Sequence, residues 1–214
     1  MARTPPVLSD LHPWLAERVE ALADAHRQAR PETSLALIWA HRSPAEQKAA
    51  HRAGRSRLDG VRRFSLHNYL PALAADLWVY TSSEDGSVPL YQGRPPRGVG
   101  LDLQLLQKGS LRRWYLGMAR LAVDQGLEAG ALWRTLKDGP HIQVPKRDRL
   151  RLLQEALGAR GYACGTPDGV MGPLTRSAIE RAGEDFGGGH LARGRLFPVV
   201  PAFWAWLHST GPTS

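Results

Sequence analysis

Phe64-Ser65-Leu66-His67-Asn68-Tyr69-Leu70-Pro71-Ala72-Leu73-Ala74-Ala75-Asp76 changes character along its length. The first half mixes polar, aromatic and proline residues, which suits a loop. The second half opens Ala74–Thr81, a run rich in aromatic and β-branched residues that predicts a strand. His67 therefore falls in a loop that feeds a strand, and Asp76 falls on the strand itself. A loop ligand followed by a strand ligand can converge on one ion. Further along, Lys137-Asp138-Gly139-Pro140-His141-Ile142-Gln143 places a carboxylate three residues before a histidine, across a Gly-Pro turn.

Outward from this stretch, residues 9–29 read as a helix. Ser9 or Asp10 can cap it, Leu11, Leu15, Val19 and Leu22 recur at helical spacing, and Pro31 ends it. Residues 34–41 form an apolar run with the character of a buried strand. Ser43-Pro44-Ala45-Glu46 opens a short helix, because proline suits a first helical turn and the glutamate completes the cap; that helix fades near Gly54. A loop rich in arginine and glycine leads to Phe64. Beyond Ala74–Thr81, Ser83-Glu84-Asp85-Gly86 is a turn signal, residues 88–91 a returning strand and residues 94–100 a loop. Ser110 can cap a helix over 111–125 with Leu111, Tyr115 and Met118 on one face, and Gly126 ends it. Short strands at 131–135 and 141–144 close this part. The expected class is α+β, a small antiparallel sheet with flanking helices.

Bulk properties bound the function. The chain has 214 residues, enough for one mid-sized domain or a domain with a small module. Hydrophobic residues make up 43%, so a sizeable core is possible. The apolar runs are far shorter than the roughly 20 residues that span a bilayer. The N-terminus shows no apolar stretch followed by a small-residue cleavage site, so synthesis in the cytoplasm without a signal peptide is expected. Cys164 is the single cysteine, which excludes an intramolecular disulfide and a four-cysteine zinc site. Any metal must use histidine and carboxylate ligands. The formal net charge of +8 favours a polyanionic partner, whether nucleic acid, an anionic membrane or an acidic cell wall. No nucleic-acid motif accompanies the basic residues.

Eight histidines are present. His12, His26 and His51 lie on or beside predicted helices and read as surface residues, and His41 reads as a core histidine at a strand end. His67 and His141 differ because each has a carboxylate nearby in a shared loop-and-strand context. Two histidines and one carboxylate, His67, Asp76 and His141, leave a position on zinc open for water. Asp138 could then act as a general base beside that water. Surface or core histidines are the competing reading of the same spacing.

With these residues in view, the chain resembles the peptidoglycan peptidases that include the VanY-type D,D-carboxypeptidases and the phage L-alanyl-D-glutamate endopeptidases. Ala40-His41-Arg42-Ser43-Pro44-Ala45-Glu46-Gln47 is similar to that family's upstream Arg-Ser and Glu-Gln segment. Ser65-x-His67 and Ala74-x-Asp76 are similar to its first metal motif, and Asp138-x-x-His141 to its second, in the aspartate form of the phage endopeptidases. Gly126-Leu127-Glu128 followed by Trp133 resembles the segment before that second motif. The resemblance covers about residues 10–144. One departure stands out: the His67-to-Asp76 interval is nine positions, two longer than the family motif, and Leu70-Pro71-Ala72 fills the loop where the motif has a glycine.

The resemblance implies a zinc peptidase fold of the hedgehog/VanY type. It implies that Zn2+ is held by His67, Asp76 and His141, and that zinc-bound water is the attacking group. Asp138 would transfer the proton, and Arg42 would stabilise the polarised carbonyl or hold a substrate carboxylate. Ser65 and Gln47 would be substrate-binding, and Trp133 would pack beneath the site. The implied activity is endolysin-like hydrolysis of the peptidoglycan stem peptide at the L-alanyl-D-glutamate bond. The alternatives are a D-alanyl-D-alanine carboxypeptidase on the same scaffold and a non-catalytic cell-wall-binding protein.

Composition changes at Lys146-Arg147-Asp148-Arg149, a polar junction that suits a boundary between a catalytic domain at 1–145 and a module at 146–214. Helices are expected at 148–160, 173–183 and 198–208. Leu153-Gln154, Leu157, Gly161-Tyr162, Asp168-Gly169, Gly172 and Thr175 resemble the small three-helix peptidoglycan-binding domain. The last helix carries Phe203, Trp204 and Trp206; it is expected to pack as the third helix, with an aromatic wall-binding or membrane-contacting face as the alternative. The expected partner is bacterial peptidoglycan, with no nucleic acid and no stable membrane insertion, and the chain is expected to act as a monomer on the wall after release from the host cytoplasm.

Overall fold

The computed structural model describes residues 5–54, 56–81, 91–92, 109–135, 137–187 and 197–209. In chain order the elements are α1 (Pro13–Ala29), β1 (Thr33–Trp39), α2 (Pro44–Arg52), β2 (Ala74–Thr81), β3 (Tyr91–Gln92), α3 (Gly109–Asp124), β4 (Glu128–Ala129), β5 (His141–Gln143), α4 (Lys146–Ala159), α5 (Pro173–Asp185) and α6 (Pro201–His208). The chain divides into two compact units, Met1–His41 with Ala72–Val144, and Arg42–Pro71 with Pro145–Ser214.

The first unit is α+β. Its sheet has the order β3-β1-β2-β5-β4, and the four strands β1, β2, β5 and β4 pair antiparallel. The short β3 lies parallel to β1 at the edge. Only Tyr91 of the predicted returning strand at 88–91 falls within it. The rest of that strand, the Ser83–Gly86 turn signal and the loop at 94–100 lie outside the described residues.

Apolar alternation builds the core. Leu35 faces Val79 and Leu37 faces Leu77 across β1 and β2, all fully or almost fully buried. On the opposite face Ala36 and Ile38 pack with Trp39 and Trp78. Helix α1 packs against β1 and α3, and Leu15, Val19 and Leu22 carry its buried stripe. Burying a leucine of this kind stabilises the fold by about 2 kcal/mol.

Three details differ from the sequence reading. Helix α1 starts at Pro13, and its cap is His12, whose Nδ1 accepts the Trp14 N–H at 3.2 Å. Ser9 and Asp10 sit in a 3-10 turn instead, because Leu11 is drawn into extended pairing with Ala72 and Pro13 fixes the next residue as a first helical position. The predicted strand at 131–135 is displaced: β4 ends at Ala129, and Gly130–Leu132 form a 3-10 turn closed by Trp133 N–H donating to the Gly130 carbonyl. His26 is not a surface residue. It is 1% exposed, its Nε2 lies 2.9 Å from Thr33 Oγ1, and it extends the Leu15, Val19, Leu22 stripe by one more turn.

In the second unit α4 packs against both α5 and α6. Gln154 is its polar hub. Its amide nitrogen lies within 3.1 Å of Asp168 Oδ1, the Val170 carbonyl oxygen and Thr175 Oγ1, which share its two N–H donors, and its Oε1 accepts the Gly169 N–H at 2.8 Å. Gly169 takes φ +72°, and a Cβ there would lie 2.5 Å from the Arg147 carbonyl oxygen, so the Asp168-Gly169 turn requires glycine. Phe203 and Trp204 of α6 are buried, which removes them from any wall- or membrane-contacting face. Trp206 is half-buried beneath the Arg160 guanidinium, 4.8 Å from its ring centroid. Among the described residues no helix is long and apolar enough to cross a membrane.

Burial, together with the nearby Arg30 charge, pulls the His26 pKa from 6.5 down to about 4. An unfolded chain titrates this group near its ordinary value. Between those two pH values the unfolded state therefore binds more protons, and acid favours unfolding. Denaturant melts should show full stability from His26 above pH 6.5 and a progressive loss toward pH 4, up to about 3 kcal/mol. His26→Gln should flatten that part of the profile; an unchanged slope would contradict the assignment.

Candidate metal centre

The site begins with the register of the sheet. Asp76 on β2 stands opposite His141 on β5, and Ala74 stands opposite Gln143. On the other side of β2, Asp76 faces Trp39 where the β1–β2 register shifts between Leu37 and Trp39. Such a bulge kinks the strand and re-aims the side chains beside it. Asp76 Oδ1 lies 3.1 Å from His141 Nδ1. The Leu77 N–H donates to the Pro140 carbonyl, which fixes the turn leading into His141.

His67 arrives on a 3-10 turn, Leu66–Asn68. Ser65 caps that turn: its hydroxyl accepts the His67 N–H, and Asn68 Oδ1 accepts the Ser65 N–H at 2.8 Å. The Arg42 N–H donates to the His67 carbonyl at 2.7 Å, and Asn68 Nδ2 returns a bond to the Arg42 carbonyl at 2.8 Å. Beyond the turn, the Tyr69 hydroxyl donates to the Val199 carbonyl and the Trp204 indole N–H donates to the Pro71 carbonyl, both at 2.9 Å. Tyr69 also meets Phe197 and Trp204 edge-on. The longer His67-to-Asp76 interval is thus tied down near its middle: Pro71 by Trp204, and Ala72 by reciprocal backbone bonds with Asp10 and His12. The Leu70–Pro71 peptide bond within it is cis.

Among the described residues, His67, Asp76 and His141 each offer one ligand atom, and these atoms all lie within 4.8 Å of one another. Both histidines are buried and Asp76 is half-buried. Two imidazole nitrogens and a carboxylate oxygen fit the donor chemistry of zinc and leave room in its coordination for a further ligand. For His141, burial opposes the charged form. The hydrogen bond and charge of Asp76, the Asp138 carboxylate and the Gln143 contact outweigh it, so the pKa is raised. This is a place that attracts positive charge, whether a proton or a metal ion.

The other residues singled out from the sequence make the following contacts. Asp138 is half-buried at the turn before His141, where its carbonyl accepts the His141 N–H at 3.3 Å. Trp133 lies 5.2 Å from the His141 ring, consistent with packing beneath it. Arg42 Nη1 donates to Gln47 Oε1 at 3.1 Å, while Gln47 Nε2 donates to Ser56 Oγ and to the Leu58 carbonyl, each at 2.7 Å. Gln47 is fully buried, with Gly60 packed directly over it. Its amide is thereby engaged in orienting Arg42.

Three residues have a part here that the sequence alone does not assign. Glu128 and Gln143 form a chain of contacts behind His141; strand alternation from His141 to Gln143 is the available signal. Gly130 is the third. A Cβ there would lie 2.5 Å from the Asp138 carbonyl oxygen, 3.0 Å from Asp138 Cβ and 3.1 Å from His141 Cβ, so only a glycine lets this turn close against both residues.

No family model and no curated protein matches the chain. Among solved structures it is similar to the L-Ala D-Glu endopeptidase ChiX of Serratia marcescens, with a TM-score of 0.40 and 25% sequence identity over 66% of this chain and 85% of that chain.

Gly130→Ala should force the Asp138–His141 turn outward. The expected cost is about 1–3 kcal/mol in denaturant melts, with weaker zinc binding by calorimetric titration. Wild-type stability and affinity in this variant would show that the close approach is not needed.

Proposed function

We propose that this chain is a zinc-dependent peptidase that hydrolyses the stem peptide of bacterial peptidoglycan at the L-alanyl-D-glutamate bond. The observation that carries the reading is the convergence of His67, Asp76 and His141 within 4.8 Å, with Asp138 on the turn that delivers His141. A purely structural metal site needs no carboxylate beside it. The family resemblance of the Arg42, His67 and His141 segments supports the substrate class.

Zinc held by these three residues would acidify a water molecule and polarise the scissile carbonyl. Asp138 takes a proton from the attacking water and passes it to the leaving amine nitrogen. Arg42 presents a guanidinium to the carbonyl oxygen as it gains charge, or to a substrate carboxylate. Gln47 and Ser65 serve the reaction indirectly, Gln47 by holding Arg42 and Ser65 by shaping the His67 turn. In this reading residues 146–214 form a three-helix wall-binding module, which raises the substrate concentration near the site. The net charge of +8 favours adhesion to an anionic wall. We read the enzyme as endolysin-like, made in the host cytoplasm and acting on the wall after release.

Digestion of purified peptidoglycan followed by mass measurement of the fragments tests this directly. New N-terminal D-glutamyl peptides are expected, abolished by a chelator and restored by zinc. Release of free D-alanine would instead identify a carboxypeptidase, and wall retention without cleavage a binding protein. His141→Ala should abolish cleavage and lower zinc content together; full cleavage by a zinc-free variant would overturn the mechanism.

A further inference from the structure

Behind His141, on the side away from Asp76, lies a second carboxylate. Strand β5 sits between β2 and β4, so His141 and Gln143, two residues apart, share one face. Asp76 is the cross-strand partner of His141 on β2, and Glu128 is the cross-strand partner of Gln143 on β4. His141 Nδ1 meets Asp76 Oδ1 at 3.1 Å, and His141 Nε2 meets Gln143 Oε1 at 3.0 Å. Gln143 Nε2 donates to Glu128 Oε2. His141 and Gln143 are each 8% exposed, so water offers little competition along this row.

From these contacts we infer that Glu128 and Gln143 are positioning residues, which hold His141 in the one tautomer that presents Nδ1 to the metal. The inference rests on the proposed zinc site. A carboxylate only accepts, so Glu128 turns the amide N–H side of Gln143 toward itself. The amide carbonyl must then face His141, because the flipped amide would set a carbonyl oxygen against a carboxylate. A carbonyl facing Nε2 requires a proton on Nε2. That leaves the Nδ1 lone pair, on the Asp76 side, as the ligand atom. The ionised end of the row strengthens the bond beyond it, since charge-assisted hydrogen bonds are about twice as strong as neutral ones. Outer partners of this kind typically change metal affinity by about 10- to 100-fold when removed.

The test uses the full chain loaded with zinc and labelled with nitrogen-15. His141 should show zinc on Nδ1 and a proton on Nε2 that exchanges slowly with solvent. Zinc affinity, measured by competition with a chromophoric chelator, should fall about 10- to 100-fold in Gln143→Leu. It should fall about 10-fold in Glu128→Gln, where the amide of Gln143 is free to flip, and the Nε2 proton should exchange faster. Zinc bound through Nε2 in the wild type would overturn the inference without any variant. So would an affinity within two-fold of wild type in both folded variants, and in that case the peptidase reading would survive. A wild-type chain that binds no zinc would remove the proposed metal centre and this inference with it.

Discussion

Asp76 and His141 face each other across antiparallel strands β2 and β5, with 3.1 Å between carboxylate and imidazole. Side chains on a strand alternate between faces, so a one-residue slip of β5 against β2 would carry His141 to the opposite side of the sheet. The fold guards that register heavily. Leu73 and Pro140 carbonyls accept backbone bonds from Val144 and Leu77, Ile142 is fully buried between β2 and β4, and Gly130 lets the preceding turn close on His141. Much of the first unit can be understood as a means of keeping these two side chains opposite each other.

The electrostatics follow from that constraint. Carboxylates gathered around a buried imidazole are costly while that imidazole is neutral, and favourable when a positive charge sits among them. The raised His141 pKa expresses this preference in protons. A divalent ion satisfies the same field with more charge, and the His67 turn adds a third donor to it. Arg42 and His67 are joined through backbone bonds, so the cation and the third ligand are set by one local structure. That structure is in turn held by Tyr69 and Pro71 against Val199 and Trp204, which gives the aromatic C-terminal helix a part in placing the His67 turn.

Much of this was legible in the sequence, for identifiable reasons. Strand β2 has the predicted bounds Ala74–Thr81, since burial alternates from Ala75 to Val79 and aromatic and β-branched residues fill its second half. Ser43, Pro44 and Glu46 spell out a capping box, and the helix starts there. The three ligands could be read because few residue types bind metal and the chain offers them in loop and strand contexts. Other features depend on partners distant in sequence. The cap of α1 moved to His12 because Leu11 pairs with Ala72, a contact between segments about sixty residues apart. Glu128 and Gln143 become neighbours only through strand pairing, and Gly130 matters only once the Asp138 turn lies against it. His26 lies four residues beyond Leu22 on the buried stripe, so its position rather than its polarity decides its burial.

The Asp76–His141 pair is the foundation of the metal centre. Zinc stoichiometry with X-ray absorption at the zinc edge addresses it most directly, comparing the wild type with Asp76→Ala. One zinc per chain is expected in the wild type, in a shell of nitrogen and oxygen ligands at about 2.0–2.2 Å with no sulfur. Loss of that zinc is expected in the folded variant. A sulfur ligand in the wild type, or an unchanged zinc shell without Asp76, would contradict it.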